Sequence, residues 1–270
     1  MWRQCYQTRV PTATNYLVLM KTRCCRFVCA LAGLSAPAFA STAIVNEINC
    51  RATGSTPDGD WFEVVVVGEG TSSSTVDMRG WQFRVDNNGT IQQGYVKLST
   101  DTYWSSVRAG TIITFCEDNT GPTGAATSIL GTDNFLTEGW GHTNIWAGDT
   151  TYIDASWALN DASFPIDERN TQILIQDSSG ATISGPAGEG HVGYPGSGVS
   201  ATEIFKLEAD PSPAITLTSA YNDGSTDTFG RPNEWSSGAS KQSFAVFIPE
   251  PSVALLVLGG MALLGIRRRG

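Results

Sequence analysis

Apolar and polar positions along this chain alternate with the two-residue period of β-strands. Trp81, Phe83 and Val85 share one face of a strand, while Gln82 and Arg84 share the other. Within residues 172–176, Ile173 and Ile175 oppose Leu174 in the same way. Residues 43–48, 61–67 and 111–116 read as further strands, and the second is apolar almost without interruption, as in a strand covered on both faces. Turn signals separate the runs: Pro57-Asp58-Gly59, Asn87-Asn88-Gly89, residues 118–121 and Ser178-Ser179-Gly180. Outside the two chain ends no window carries the 3.6-residue stripe of a helix, and the sequence shows no internal repeat. Short strands at regular spacing predict an all-β sandwich or barrel.

The ends break this pattern. From Met20, the basic residues Lys21, Arg23 and Arg26 precede an apolar stretch from Phe27 that closes on Ala38-Phe39-Ala40 before Ser41. A basic start, a short apolar core and an Ala-x-Ala site predict a cleavable secretory signal peptide. Pro37 speaks against a helix of the mature domain. Arg3 and Arg9 lie far from the apolar core, so Met20 is the expected start within a leader and signal spanning residues 1–40. At the other end, Pro249-Glu250-Pro251 stops any preceding element, because each proline fixes its own φ and lacks an N–H. Residues 253–266 are uncharged and apolar, and as a helix they span roughly 21 Å against a hydrocarbon core of about 30 Å. Arg267, Arg268 and Arg269 would hold the far end on the cytoplasmic side.

This order of tripeptide, apolar run and arginine triplet resembles the PEP-CTERM tail of exported proteins in Gram-negative bacteria. The resemblance implies export through the Sec machinery, transient anchoring in the inner membrane through residues 253–266, and processing near Pro249, Glu250 and Pro251 by an exosortase, a membrane cysteine transpeptidase. An ordinary short C-terminal anchor is the alternative. Either places the body of the protein outside the cytoplasm.

Between the ends lies an ordered series of landmarks: Asn46-Glu47-Ile48, Gly59-Asp60-Trp61-Phe62-Glu63, Val76-Asp77-Met78-Arg79-Gly80-Trp81, residues 171–180, Phe205-Lys206-Leu207-Glu208, and Thr228-Phe229-Gly230-Arg231-Pro232-Asn233. The series resembles the lamin-tail domain, an immunoglobulin-like β-sandwich found in nuclear lamins and in many bacterial exported proteins. It departs from that pattern in two places. Phe229 stands where proline is usual, and residues 117–164 are longer and richer in tryptophan, which makes them an elaborated loop region. The implied organisation is a sandwich over residues 43–233, a linker over 234–248 and a sorting signal over 249–270. Trp61 and Trp81 are expected to fill the inter-sheet core, and Asp77 to hydrogen-bond the turn that Gly80 allows. Glu47 and Glu63 recur on neighbouring strands. Such carboxylates can carry acid–base chemistry, but hydrogen bonding to backbone N–H groups, or pairing with Arg79 or Arg84, is the structural alternative expected here.

Charge sharpens the picture once the ends are set aside. The chain holds 17 basic and 26 acidic residues, but residues 41–248 keep 9 basic against 25 acidic, a formal net charge of −16. Such a body repels phosphate backbones, which argues against a nucleic-acid partner. Four cysteines (Cys5, Cys24, Cys25, Cys29) fall in the leader, leaving Cys50 and Cys116. In an oxidising compartment this pair predicts a disulfide closing a loop of about 66 residues, worth roughly 4 kcal/mol, with two buried thiols as the alternative.

Catalytic signatures are sparse. The histidines are His142 and His191, and the sequence has no His-Glu-x-x-His, Gly-x-Ser-x-Gly or Cys-x-x-Cys. Residues 188–193 match Gly-x-Gly-x-x-Gly but lack the strand–turn–helix context of a nucleotide site. Asp58, Asp60, Asp86, Asn87 and Asn88 read as turn residues rather than a calcium loop. No cofactor and no metal are expected. One constellation remains, Trp140, His142, Trp146, Tyr152 and Trp157, with Asp149, Asp154 and Asp161 among them. Exposed aromatic rings stack on sugar faces, so this is the candidate ligand platform, with core packing of an insertion as the alternative. The two resemblances imply a non-enzymatic structural or adhesive protein of the cell envelope or extracellular matrix, with exopolysaccharide, whose production such sorting systems commonly accompany, or matrix proteins as partners. A glycan- or Ca²⁺-dependent binding module built on residues 137–161 is the second reading, and a hydrolase the third.

Overall fold

β-Branched and aromatic residues are concentrated in the predicted strands, and those runs extend accordingly. The computed structural model describes residues 42–49, 60–87, 90–116, 128–155, 171–188, 204–216, 221–224 and 226–250, all within the unit Phe39–Gly270. In chain order the strands are β1 (Ala43–Asn49), β2 (Trp61–Val66), β3 (Thr75–Val76), β4 (Gln82–Asn87), β5 (Thr90–Lys97), β6 (Val107–Arg108), β7 (Thr111–Cys116), β8 (Ile129–Asp133), β9 (Gly141–Trp146), β10 (Thr171–Gln176), β11 (Thr182–Gly188), β12 (Ile204–Leu207) and β13 (Tyr221–Gly224). The helices among the described residues are two short 3₁₀ turns, Thr102–Ser106 and Ala245–Phe247. None is long and apolar enough to cross a membrane. The chain is therefore all-β over these residues.

The strands form a seven-stranded sheet in the order β13-β12-β1-β2-β7-β9-β8, a four-stranded sheet β11-β10-β4-β5, and the small pair β3-β6. In the large sheet β7 and β9 run parallel, and the other neighbours are antiparallel. The region expected as elaborated loops thus contributes β8 and β9, which extend the large sheet beyond β7. The β10–β11 turn follows its sequence signal: Asp177 Oδ1 accepts from the N–H groups of Ser179 and Ala181, and Gly180 takes φ +85°.

The two larger sheets share one apolar core. Phe62 on β2, Phe115 on β7 and Phe83 on β4 meet there with ring centroids 4.7–5.9 Å apart. Val64, Ile113, Val85, Ile173 and Ile175 are fully buried around them. Trp81 packs into this core as expected. Trp61 does not. The strand period places it on the opposite face of β2 from Phe62, where it meets Phe229 edge-on at 5.2 Å. Asp77 behaves as expected, accepting from Arg79 N at 3.1 Å before Gly80, which has φ +73°. Its carboxylate also takes the Arg79 guanidinium, which holds it down to about 2. Arg79 is therefore engaged away from Glu47 and Glu63.

Residues 234–248, expected as a linker, are folded onto the body instead. Gln242, Phe244 and Phe247 are buried. Phe244 precedes and Phe247 ends a 3₁₀ turn that sends both rings inward, 6.0 Å apart. Arg108 ties the turn down: Nη2 donates to the Phe247 carbonyl at 3.3 Å, and the guanidinium lies 4.1 Å above the Phe135 ring. Two aromatic residues three apart were the signal that this segment buries surface.

Candidate functional site

The outer face of the large sheet, opposite Phe62, carries an unusual row. Register places Lys206 (β12), Glu47 (β1), Glu63 (β2), Thr114 (β7) and Asn144 (β9) side by side across five strands. Each is buried. A buried carboxylate is costly unless hydrogen bonds and charge compensate it, and residues 226–242 supply both coverage and donors.

The row depends on an irregularity in β1. Between Val45 and Glu47 the register slips by one, leaving Asn46 as the extra residue of a β-bulge. Asn46 and Glu47 then serve the same face. The bulge also withdraws backbone carbonyls from the ladder, and side chains take them: Tyr221 Oη donates to Val45 O at 2.7 Å, and Asn233 Nδ2 to Asn46 O at 3.0 Å. Asn233 Nδ2 also reaches Leu207 O at 3.0 Å. Gln242 completes the clamp through Nε2 to Asn46 Oδ1 at 2.9 Å and Oε1 to Asn233 N at 2.9 Å.

The two carboxylates hold residues 228–230. Glu47 Oε1 accepts from Thr228 N at 3.1 Å, and Glu63 Oε2 accepts from Gly230 N at 2.9 Å. Glu63 also accepts from Asn46 Nδ2 at 2.7 Å and Thr114 Oγ1 at 3.1 Å. These backbone bonds are the structural outcome expected of the pair. Gly230 has φ +66°, and a Cβ there would overlap the His142 ring.

Counting protons assigns the charges. The Thr228 hydroxyl lies 2.5 Å from Glu47 Oε2 and 2.9 Å from Asn233 Oδ1, yet it has one proton to donate. Both contacts are satisfied when Glu47 is protonated and donates to Thr228, which donates to Asn233. Glu63, with three donors aimed at it, is the ionised member. Burial pushes Glu47 up to about 8, helped by the neighbouring Glu63 charge and opposed by Thr228 and Lys206. Burial also raises Glu63, to about 7, against the bonds from Asn46, Gly230 and Thr114. Burial lowers His142 to about 4, so its imidazole is neutral. Thr114 donates to Glu63, so the 3.0 Å contact from His142 Nε2 to Thr114 Oγ1 requires the Nε2–H tautomer. Lys206, the neighbour of Glu47 in the row, donates from Nζ to the Thr226 carbonyl at 3.2 Å.

The candidate ligand platform is divided by the fold. Trp140 is buried, with Nε1 donating to Glu138 Oε2 at 2.8 Å. His142 and Trp146 share the outer face of β9, half-buried, and His142 meets Phe229 edge-on at 5.5 Å. Tyr152 belongs to a separate aromatic group, 5.6 Å from Tyr103 and 6.3 Å from Trp104, whose Nε1 donates to Tyr152 O at 2.9 Å. Trp157 lies outside the described residues, as do Ala38, Ala40, Ser41, Pro251, Arg267, Arg268 and Arg269. Cys116 is buried with Sγ 2.9 Å from Asn144 Oδ1, and its expected partner Cys50 is likewise outside the described residues. Among the described residues no three His, Cys, Asp or Glu side chains converge as metal ligands.

The sequence pointed to Glu47, Glu63 and residues 228–233, and to Lys206 as part of a landmark without a role, but not to Thr114 or Gln242, whose roles come from cross-strand register and long-range packing. Comparison with protein-family models, curated proteins and solved structures gives no match.

Proposed function

We propose that this is a non-enzymatic exported protein, a lamin-tail-type immunoglobulin-like sandwich carried to the cell envelope or extracellular matrix by a PEP-CTERM sorting tail. The observation that carries this reading is the buried row beneath residues 226–242. Its carboxylates are fully enclosed and spend their hydrogen bonds on holding the chain's own closing segment, which leaves them no approach to a substrate. The most reactive-looking pair in the sequence thus has a structural job, and it involves the Asn-Glu, Trp-x-Glu and closing-motif landmarks on which the family resemblance rests. Export is supported by the order of sequence features at both ends, and a structural or adhesive role among polysaccharide by the company such tails keep.

Fractionation of the producing cell with intact-mass measurement tests the reading. A protein beginning near Ser41, ending near residues 249–251 and recovered from matrix or medium is the expected result. An intact C-terminus retained in the inner membrane would replace sorting with plain anchoring.

A further inference from the structure

The packed C-terminal turn has a geometric consequence for a chain that ends in a membrane segment. Folded structure continues through Ile248, whose neighbours Phe244 and Phe247 are buried and whose turn Arg108 holds. The apolar run begins at residue 253. Five Cα steps join Ile248 to Val253, at most about 18 Å when fully extended. The run itself is roughly 9 Å shorter than the hydrocarbon core, so its insertion draws residue 253 below the headgroups and consumes much of that tether.

The surface around the exit point suits the contact this enforces. Residues 134–139 abut the turn through Gly139, where a Cβ would collide with the Phe244 carbonyl and approach Ile248. From this region project Leu136, 78% exposed, and Val246, 54% exposed, two of the three large exposed apolar side chains among the described residues. A cleft of about 840 Å³ opens beside Val246, lined also by residues 70–73, Arg108, Ala245 and residues 248–250. Glu138 is the one carboxylate within residues 134–139, and its Oε2 accepts from Trp140 Nε1; the body as a whole is acidic and keeps its distance from anionic lipid.

Resting on the proposed anchoring through residues 253–266, we infer that the face formed by residues 134–139 and 245–248 is a membrane-contact surface. It lies against the lipid headgroups, with Leu136 and Val246 entering the interface, for as long as the tail is uncut. The sorting motif is then presented as a short strap between a folded body and the bilayer.

The test uses the full chain reconstituted in phosphatidylcholine vesicles, with a photoreactive benzophenone side chain replacing Leu136 or, as a control, Ser179 in the β10–β11 turn. A second version carries twelve Gly and Ser residues inserted after Ile248. Lipid adducts at position 136 and not at 179, falling at least about fivefold when the insertion adds roughly 20 Å of reach, are the expected result. Vesicle binding through residues 253–270 with no adduct at position 136 overturns the contact surface and leaves the anchor standing. An adduct undiminished by the insertion overturns the short-tether argument. A chain whose vesicle binding survives deletion of residues 253–270, or that does not bind at all, overturns the anchor reading and this inference with it.

Discussion

The hydroxyl of Thr228, with one proton and two acceptors, fixes where the proton of the buried pair resides, and the consequence can be measured. Both folded carboxyl values stand above the ordinary 4.5, at about 8 and about 7. The native state therefore keeps protons that the unfolded chain has shed. This contribution to stability is full below about 4.5, declines as pH rises, and is gone above about 8. His142 works in the opposite sense, since its depressed value costs stability as pH falls from 6.5 towards 4. The clean window is pH 6.5 to 8, where the unfolding free energy read from urea should fall, with a slope of order 1.4 kcal/mol per pH unit for each retained proton. Glu47→Gln should flatten that fall, and a wild-type midpoint constant across the window would contradict a shared proton. Gly230→Ala probes the same site sterically. A positive φ and collision with the His142 ring should cost about 1–3 kcal/mol, read from denaturant unfolding at pH 6.5.

At the scale of elements, what the sequence revealed depended on whether a strand's pattern was local. β7 was placed at its observed bounds, and β2 and β10 to within a residue, because each is a compact run rich in β-branched and aromatic residues. β9 escaped notice. Gly-His-Thr-Asn-Ile-Trp has little alternation, and its partner β7 is parallel, so no hairpin signal announces the pair. The continuous apolar run of β2 correctly implied cover on both faces, though what covers the second face comes from residues more than 160 positions away. Trp61 was misplaced for the same reason: with both faces buried, composition alone does not say which is the inter-sheet core. Phe83→Ala, at the centre of that core, should lose about 3–5 kcal/mol. A double-mutant cycle of Trp61 and Phe229 should recover a coupling of about 0.5–1.5 kcal/mol, and a coupling near zero would separate the closing segment from β2.

For the whole molecule, residues 234–248 decide where the folded body ends. A chain stopped after Ile248 should melt where the full chain does. One stopped after Lys241 loses Gln242, Phe244 and Phe247 and should be destabilised by several kcal/mol, visible as a large fall in Tm. Equal melting of the two would restore the linker expected from sequence.

The contacts from Thr228 to Glu47 and from Gln242 to Asn46 span 181 and 196 positions. They close the sheet with chain that is made long after β1 and β2. A growing polypeptide thus holds β1 and β2 with two carboxylates and a bulge unanswered until residues 226–242 emerge. Folding is timed by that late segment, and the sheet is not finished before residues 226–242 have themselves arrived.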